Sequence, residues 1–227
     1  MADRVLVVAA HPDDEVLGCG GTLARLAREG HETYVGILGE GITSRHAAGD
    51  PPPAGAVDAL HATARKAADR LGARDFFSHR LPDNRFDTVP LLEVVRVVED
   101  WVARCRPAAL YTHHAGDVNV DHVLTHRAVL TATRPISGCP VREVFAFEIH
   151  SSTEWAFSQF APFRPNVFVD IGDTLDDKIA ALRLYEGEVR PFPHPRSPEA
   201  LRASAQRWGA AAGVSAAEAF ELVRWVR

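Results

Sequence analysis

Lysine is nearly missing from this chain. Lys66 and Lys178 are the only lysines among its 25 basic residues. Positive charge is therefore carried by arginine, whose planar fork suits carboxylates, phosphates and sugar hydroxyls. The formal net charge is −5, which leaves no excess for the basic face that a nucleic-acid partner needs. Cysteine is sparse as well: Cys19, Cys105 and Cys139 are far apart and odd in number. They form no disulfide framework and no CxxC pair, which excludes a cysteine zinc site and points to a reducing, cytoplasmic setting. No apolar run approaches the ~18 residues of a membrane helix, so no membrane partner is expected. Residues 1–4 lead straight into a short strand and carry no signal-peptide pattern. What remains is 46% hydrophobic and 24% charged, the make-up of a globular protein. Its length of 227 residues suits one domain spanning 1–227. Nothing in the pattern specifies an oligomeric state.

Apolar periodicity alternates between strand and helix. Residues 5–10 form an unbroken apolar run, as in a strand buried on both faces. Residues 14–28 then show helical spacing and stop at Gly30. Strands are expected at 33–38, 75–81, 108–112, 144–149 and 166–171. Helices are expected at 57–71, 90–105, 121–133, 173–185, 200–212 and 216–225. Residues 39–55 hold four glycines and three prolines without periodicity, a long loop of the kind often tied to function. This order predicts an α/β fold with a Rossmann-like open, mostly parallel sheet and helices on both faces.

Two short segments are rich in metal-capable side chains. Directly after the first strand comes His11-Pro12-Asp13-Asp14-Glu15. Crowded carboxylates repel one another and lose hydration there unless a cation neutralises them. A helix N-terminus explains one or two acids, but not the histidine beside them. The second segment, residues 113–122, holds His113, His114 and His122 with Asp117 and Asp121. Asp117 or Asn119 also suits a helix cap. In a doubly wound sheet the first and fourth strands lie side by side, at the crevice where ligands bind. That topology brings both segments to one place.

The residues His11-Pro12-Asp13-Asp14-Glu15, with Gly18, Gly20, Gly21 and Thr22 after them and Asn119-Val120-Asp121-His122 later, resemble the PIG-L/LmbE family of zinc-dependent N-acetylglucosaminyl deacetylases. The resemblance implies that His11, Asp14 and His122 hold zinc, with Fe(II) tolerated by the same ligands. It implies that Asp13 is the general base and that the reaction frees an amine and acetate from an N-acetyl amino sugar or glycosylated metabolite. Many members carry a histidine where this chain has Asn119. Asn donates hydrogen bonds but shuttles no proton. The proton donor is then Asp13 itself or another histidine, and His194, bracketed by Pro193 and Pro195, is the candidate. Asp121 is expected to hold an imidazole by a carboxylate hydrogen bond.

Candidate substrate contacts are Arg45, Asn84, Arg85 and His113. Trp155 reads as core or as a sugar platform, with core favoured. Two further functions stay open. One is an amidase of the same family acting on a thiol conjugate or another amide. The other is a nucleotide-binding Rossmann-type protein, suggested by Gly18-Cys19-Gly20-Gly21. A dinucleotide glycine run, however, opens the helix directly after the first strand, and here acids that repel a pyrophosphate fill that turn. The glycines are better read as allowing close helix–sheet packing.

Overall fold

The computed structural model describes residues 3–47, 51–157 and 159–227. Residues 1–2, at the chain start, and 48–50, in the long loop after the second strand, lie outside that set. The strands are β1 (Arg4–Ala9), β2 (Glu32–Gly39), β3 (Asp75–Leu81), β4 (Ala109–His113), β5 (Glu143–Phe147), β6 (Val167–Asp170) and β7 (Ala217–Trp225). They form one sheet in the order β3-β2-β1-β4-β5-β7-β6. β1 runs parallel to both β2 and β4, so the winding reverses beside it. β7 is antiparallel to β5 and β6.

The helices are α1 (Asp14–Arg28), α2 (Ala56–Arg70), α3 (Leu91–Cys105), α4 (Val120–Ala132), α5 (Leu175–Leu182) and α6 (Pro198–Ala212). Side chains of β1 alternate between two cores. Val5, Val7 and Ala9 pack with residues of α1, α2, α5 and α6. Leu6, Val8 and Ala10 pack with residues of α3 and α4. Helices therefore cover both faces, as the alternation of elements predicts. None is long and apolar enough to cross a membrane among the described residues.

One expected element is wrong in type. Residues 216–225 read as a helix because Ala and Glu dominate them, yet they form β7. Tertiary context overrides propensity. Phe220 is fully buried and lies edge-on to Tyr111, with ring centroids 4.9 Å apart, and β7 supplies the hydrogen bonds that join β5 to β6.

The glycines of α1 serve packing. A Cβ at Gly21 would meet Ile171 at 2.8 Å, and one at Gly18 would enter the Phe147 ring. They are not available to cradle a pyrophosphate, which removes the nucleotide-binding reading. α1 also breaks at Cys19, where φ is −149°. The restarted helix is capped from the far end of the chain: Gly21 and Thr22 N–H groups donate to the Glu218 carboxylate at 3.0 and 2.7 Å. Lys178 Nζ balances that buried charge at 2.5 Å and donates to the Leu17 carbonyl at 2.8 Å.

Candidate metal centre

The corner between β1 and α1 is held tightly. Asp13 adopts φ 110°, a left-handed conformation that costs a non-glycine residue about 1–3 kcal/mol. Its neighbours over-determine it. The Asp13 N–H donates to Glu15 Oε2 at 3.0 Å, and its carbonyl accepts from Val16 and Leu17. Glu15 is fully buried and also accepts from the Tyr185 hydroxyl at 2.5 Å. Burial outweighs those hydrogen bonds and pushes the Glu15 carboxyl up to about 7.

His11, Asp14 and His122 converge. Asp14 Oδ2 lies 3.4 Å from His11 Nδ1 and 3.3 Å from His122 Nε2, and the two nitrogens are 3.3 Å apart. Donors about 2.0–2.1 Å from a tetrahedral zinc are separated by about 3.4 Å, so this triangle has the size to hold that ion, and its three residues line one cavity. The electrostatics agree. Burial depresses the His11 imidazole, but Asp121, Asp14 and Asp83 outweigh it and lift it to about 10. Burial likewise depresses His122, and Asp14 and Asp117 lift it to about 9. The pocket therefore favours positive charge at the triad.

His11, Asp83 and Asp121 form an alternative group around the other nitrogen of His11. His11 Nε2 lies 2.9 Å from Asp121 Oδ2 and 3.4 Å from Asp83 Oδ1. A neutral imidazole carries one proton. Placed on Nε2 it satisfies Asp121 and leaves the Nδ1 lone pair for a cation at the triad. The other oxygen of Asp121 accepts from the Phe86 N–H at 2.9 Å. His122 has a carboxylate on its far side as well: Asp117 Oδ2 lies 3.2 Å from His122 Nδ1, close enough for charge attraction. Asp117 is itself held by the hydroxyls of Ser152 and Thr153.

Several expected site residues share one cavity of about 410 Å³: His11, Asp13, Asp14, Arg45, Asn84, Asn119 and His122 line it. Asn119 caps α4, its side-chain oxygen accepting from Asp121 N at 2.8 Å while Nδ2 donates to Asn84 Oδ1 at 2.9 Å. Asp121 sits behind His11, fully buried.

Four expectations need correction. His113 has no exposed surface, so it has none to offer a substrate. Its Nε2 accepts from Ala10 N–H at 2.8 Å, and its ring stacks on His122 at 4.1 Å, which makes it packing beneath the triad. Arg85 is exposed and does not line the cavity. His194 does not line it either. Its Nδ1 accepts from Arg196 N–H at 3.1 Å and its ring meets Trp155, which is 44% exposed rather than core.

Arg196 and Glu188 escaped the sequence reading. Arg196 Nη1 lies 2.8 Å from Asp13 Oδ2 and 3.0 Å from Glu188 Oε2. Glu188 is buried and also pairs with Arg45 Nη2 at 2.5 Å. Burial raises the Asp13 carboxyl well above the usual range, and Arg196 only partly opposes it. The proline-rich run 191–198 marks a stiff loop, and the residue it aims at Asp13 is Arg196 rather than His194.

Known proteins share this arrangement of chain. The sequence model of the family described as PIG-L, GlcNAc-PI de-N-acetylase, matches residues 6–133. An uncharacterized deacetylase of Escherichia coli is 28% identical over 188 residues, covering 80% of this chain and 90% of that protein. A 4-oxalmesaconate hydratase of Pseudomonas putida is 30% identical over 202 residues, 81% of this chain and 73% of the other. A 1D-myo-inositol 2-acetamido-2-deoxy-alpha-D-glucopyranoside deacetylase of a Mycobacterium species is 27% identical over 240 residues, 87% and 78% of the respective chains. Among solved structures, a conserved protein of Thermus thermophilus superposes with a TM-score of 0.75 at 28% identity, over 100% of this chain and 97% of that one. An N,N'-diacetylchitobiose deacetylase of Pyrococcus horikoshii has the same fold, with a TM-score of 0.75 at 19% identity over 98% and 84%.

Proposed function

The chain belongs to the PIG-L family, and on that premise we propose that it is a zinc-dependent N-deacetylase of an N-acetyl amino sugar or glycosylated metabolite. One observation carries the reading. A side-chain triangle sized for zinc and a carboxylate raised by burial line the same cavity, on adjacent residues Asp14 and Asp13. The Mycobacterium relative, a deacetylase of a 2-acetamido-2-deoxy-glucopyranoside, supports the substrate class. The whole of 1–227 is read as one catalytic domain. Its three unpaired cysteines suit the cytoplasm.

His11, Asp14 and His122 would hold the metal, which supplies Lewis acidity toward the amide carbonyl and toward water. Fe(II) accepts the same donors. Asp121 fixes the His11 ring through Nε2, and Asp117 places its negative charge beside Nδ1 of His122. Asp13 takes the proton of the attacking water and delivers it to the departing amine, so one group serves as base and then acid. Net, an amide and water become an amine and acetate. Arg45 and Asn84 face the sugar across the cavity, and Asn119 steadies Asn84. An amidase acting on a thiol conjugate or another amide would use the same machinery.

A second reading is hydration of an unsaturated acid, favoured by the 30% identity to a hydratase. Such a substrate brings carboxylates. Both arginines of the cavity are already neutralised, Arg45 by Glu188 and Arg196 by Glu188 and Asp13. That pairing favours the neutral acetamide. The deciding experiment measures acetate release from a panel of N-acetyl sugars and their conjugates, with and without chelator. Release that stops on chelation and returns with zinc is expected. Full-rate release from metal-free protein, or turnover of unsaturated acids alone, overturns the proposal.

A further inference from the structure

We propose that Arg196 is a positioning residue that fixes the Asp13 carboxylate in one orientation beside the triad. The inference rests on the reading of Asp13 as the base.

Arg196 arrives from the far end of the chain, 183 residues from its partner. The loop that carries it is a series of turns. His194 N–H donates to the Pro191 carbonyl, Arg196 N–H to His194 Nδ1, and Ser197 N–H to the His194 carbonyl. Ser197 then caps α6, accepting from Ala200 N–H. Pro193 and Pro195 limit the backbone between these bonds. The guanidinium is held at three points. Nε donates to Ser151 Oγ at 2.7 Å, and Nη1 donates to Glu188 at 3.0 Å and to Asp13 Oδ2 at 2.8 Å. A fork anchored on two sides presents its remaining donor direction in a defined place.

Asp13 is bound on its other side through its backbone alone, by Glu15 and by the first turn of α1. Among the described residues Arg196 is the side chain that holds its carboxylate. With Oδ2 committed, Oδ1 is the oxygen left to face the reaction. Arginine keeps its proton, so the group orients and does not transfer.

The test compares Arg196→Ala, Arg196→Lys and Ser151→Ala with the unaltered enzyme, each loaded with zinc. On a substrate that releases acetate, Arg196→Ala is expected to lower kcat about 100-fold with KM within threefold, because small misplacements of a reacting group cost that much. Methylguanidinium in the assay should restore part of the rate to Arg196→Ala and none to Asp13→Asn. Ser151→Ala, which frees Nε only, should fall less. Crystal structures give a readout independent of turnover: one Asp13 rotamer in the unaltered protein, several in Arg196→Ala. An unchanged kcat, a rise in KM alone, or an Asp13 that keeps its rotamer overturns the proposal. Should Arg196→Ala fail to fold, Arg196→Lys with full kcat overturns it equally. If no acetamide is turned over, the function has failed, and the rotamer comparison still decides this inference.

Discussion

His11 Nε2 lies 2.9 Å from Asp121 Oδ2, on the side of the ring opposite the triad. That bond decides which nitrogen carries the proton and therefore which nitrogen is free to ligate. Partners of this kind typically change metal affinity 10–100-fold when lost. Asp121→Ala is expected to weaken zinc binding about 10–100-fold in a competition titration against a chromophoric chelator. Asp121→Asn should do less harm, since an amide oxygen still accepts. Equal zinc affinity in all three proteins would remove Asp121 from the site.

The pair Lys178–Glu218 gives a stability prediction far from the cavity. Glu218 caps the restarted α1, and Lys178 neutralises it. Removing one partner of a buried pair costs about 3–5 kcal/mol because the other charge is left uncompensated. Lys178→Met should therefore lower Tm by about 10 °C for a chain of this size. The double variant Lys178→Met with Glu218→Gln should recover part of the loss. A double variant that melts below both single ones would show that the charge pair is not the source.

The parts of this architecture that were legible in the sequence are those written in contiguous residues. His11 to Glu15 follow one strand without interruption, and the βα alternation places them beside β4. The glycines of α1 were legible as packing for the same reason. β7 was not, because Ala216 to Glu221 have helical propensity and only the gap between β5 and β6 makes them a strand. Arg196 was not, because its contact with Asp13 spans most of the chain and no periodicity marks it. His113 shows a different limit. Its type and place match a ligand, but only the fold reveals that it lies wholly beneath the surface. Asp117 resembled a helix cap, and the hydroxyls that aim it at His122 come from Ser152 and Thr153.

Metal removal separates binding from folding. His11 lies in the corner after β1, Asp14 opens α1 and His122 sits in α4, so an ion held by all three would stabilise the native state by mass action. Dialysis against a strong chelator should lower Tm by several degrees, and one equivalent of zinc should restore it. His122→Ala should melt at the same temperature with and without added zinc. If zinc still raises its Tm, the ion binds elsewhere.

His150 supplies the pH prediction. Among the described residues its Nδ1 has no hydrogen-bond partner, and burial, reinforced by Lys178 and Arg196, pushes the imidazole down to about 3. The folded protein thus keeps this ring neutral, whereas the unfolded chain protonates it near 6.5. Protons then bind the unfolded state more strongly, and stability contributed by the neutral ring is present above pH 6.5 and lost as pH falls toward 3. Each pH unit in that window costs up to about 1.4 kcal/mol, or roughly 3–5 °C of Tm. His150→Leu cannot titrate, so its Tm should fall less than that of the unaltered protein between pH 7 and pH 5, both measured at matched zinc occupancy. Parallel melting curves across that range would show that His150 is protonated in the folded protein as readily as in the unfolded chain.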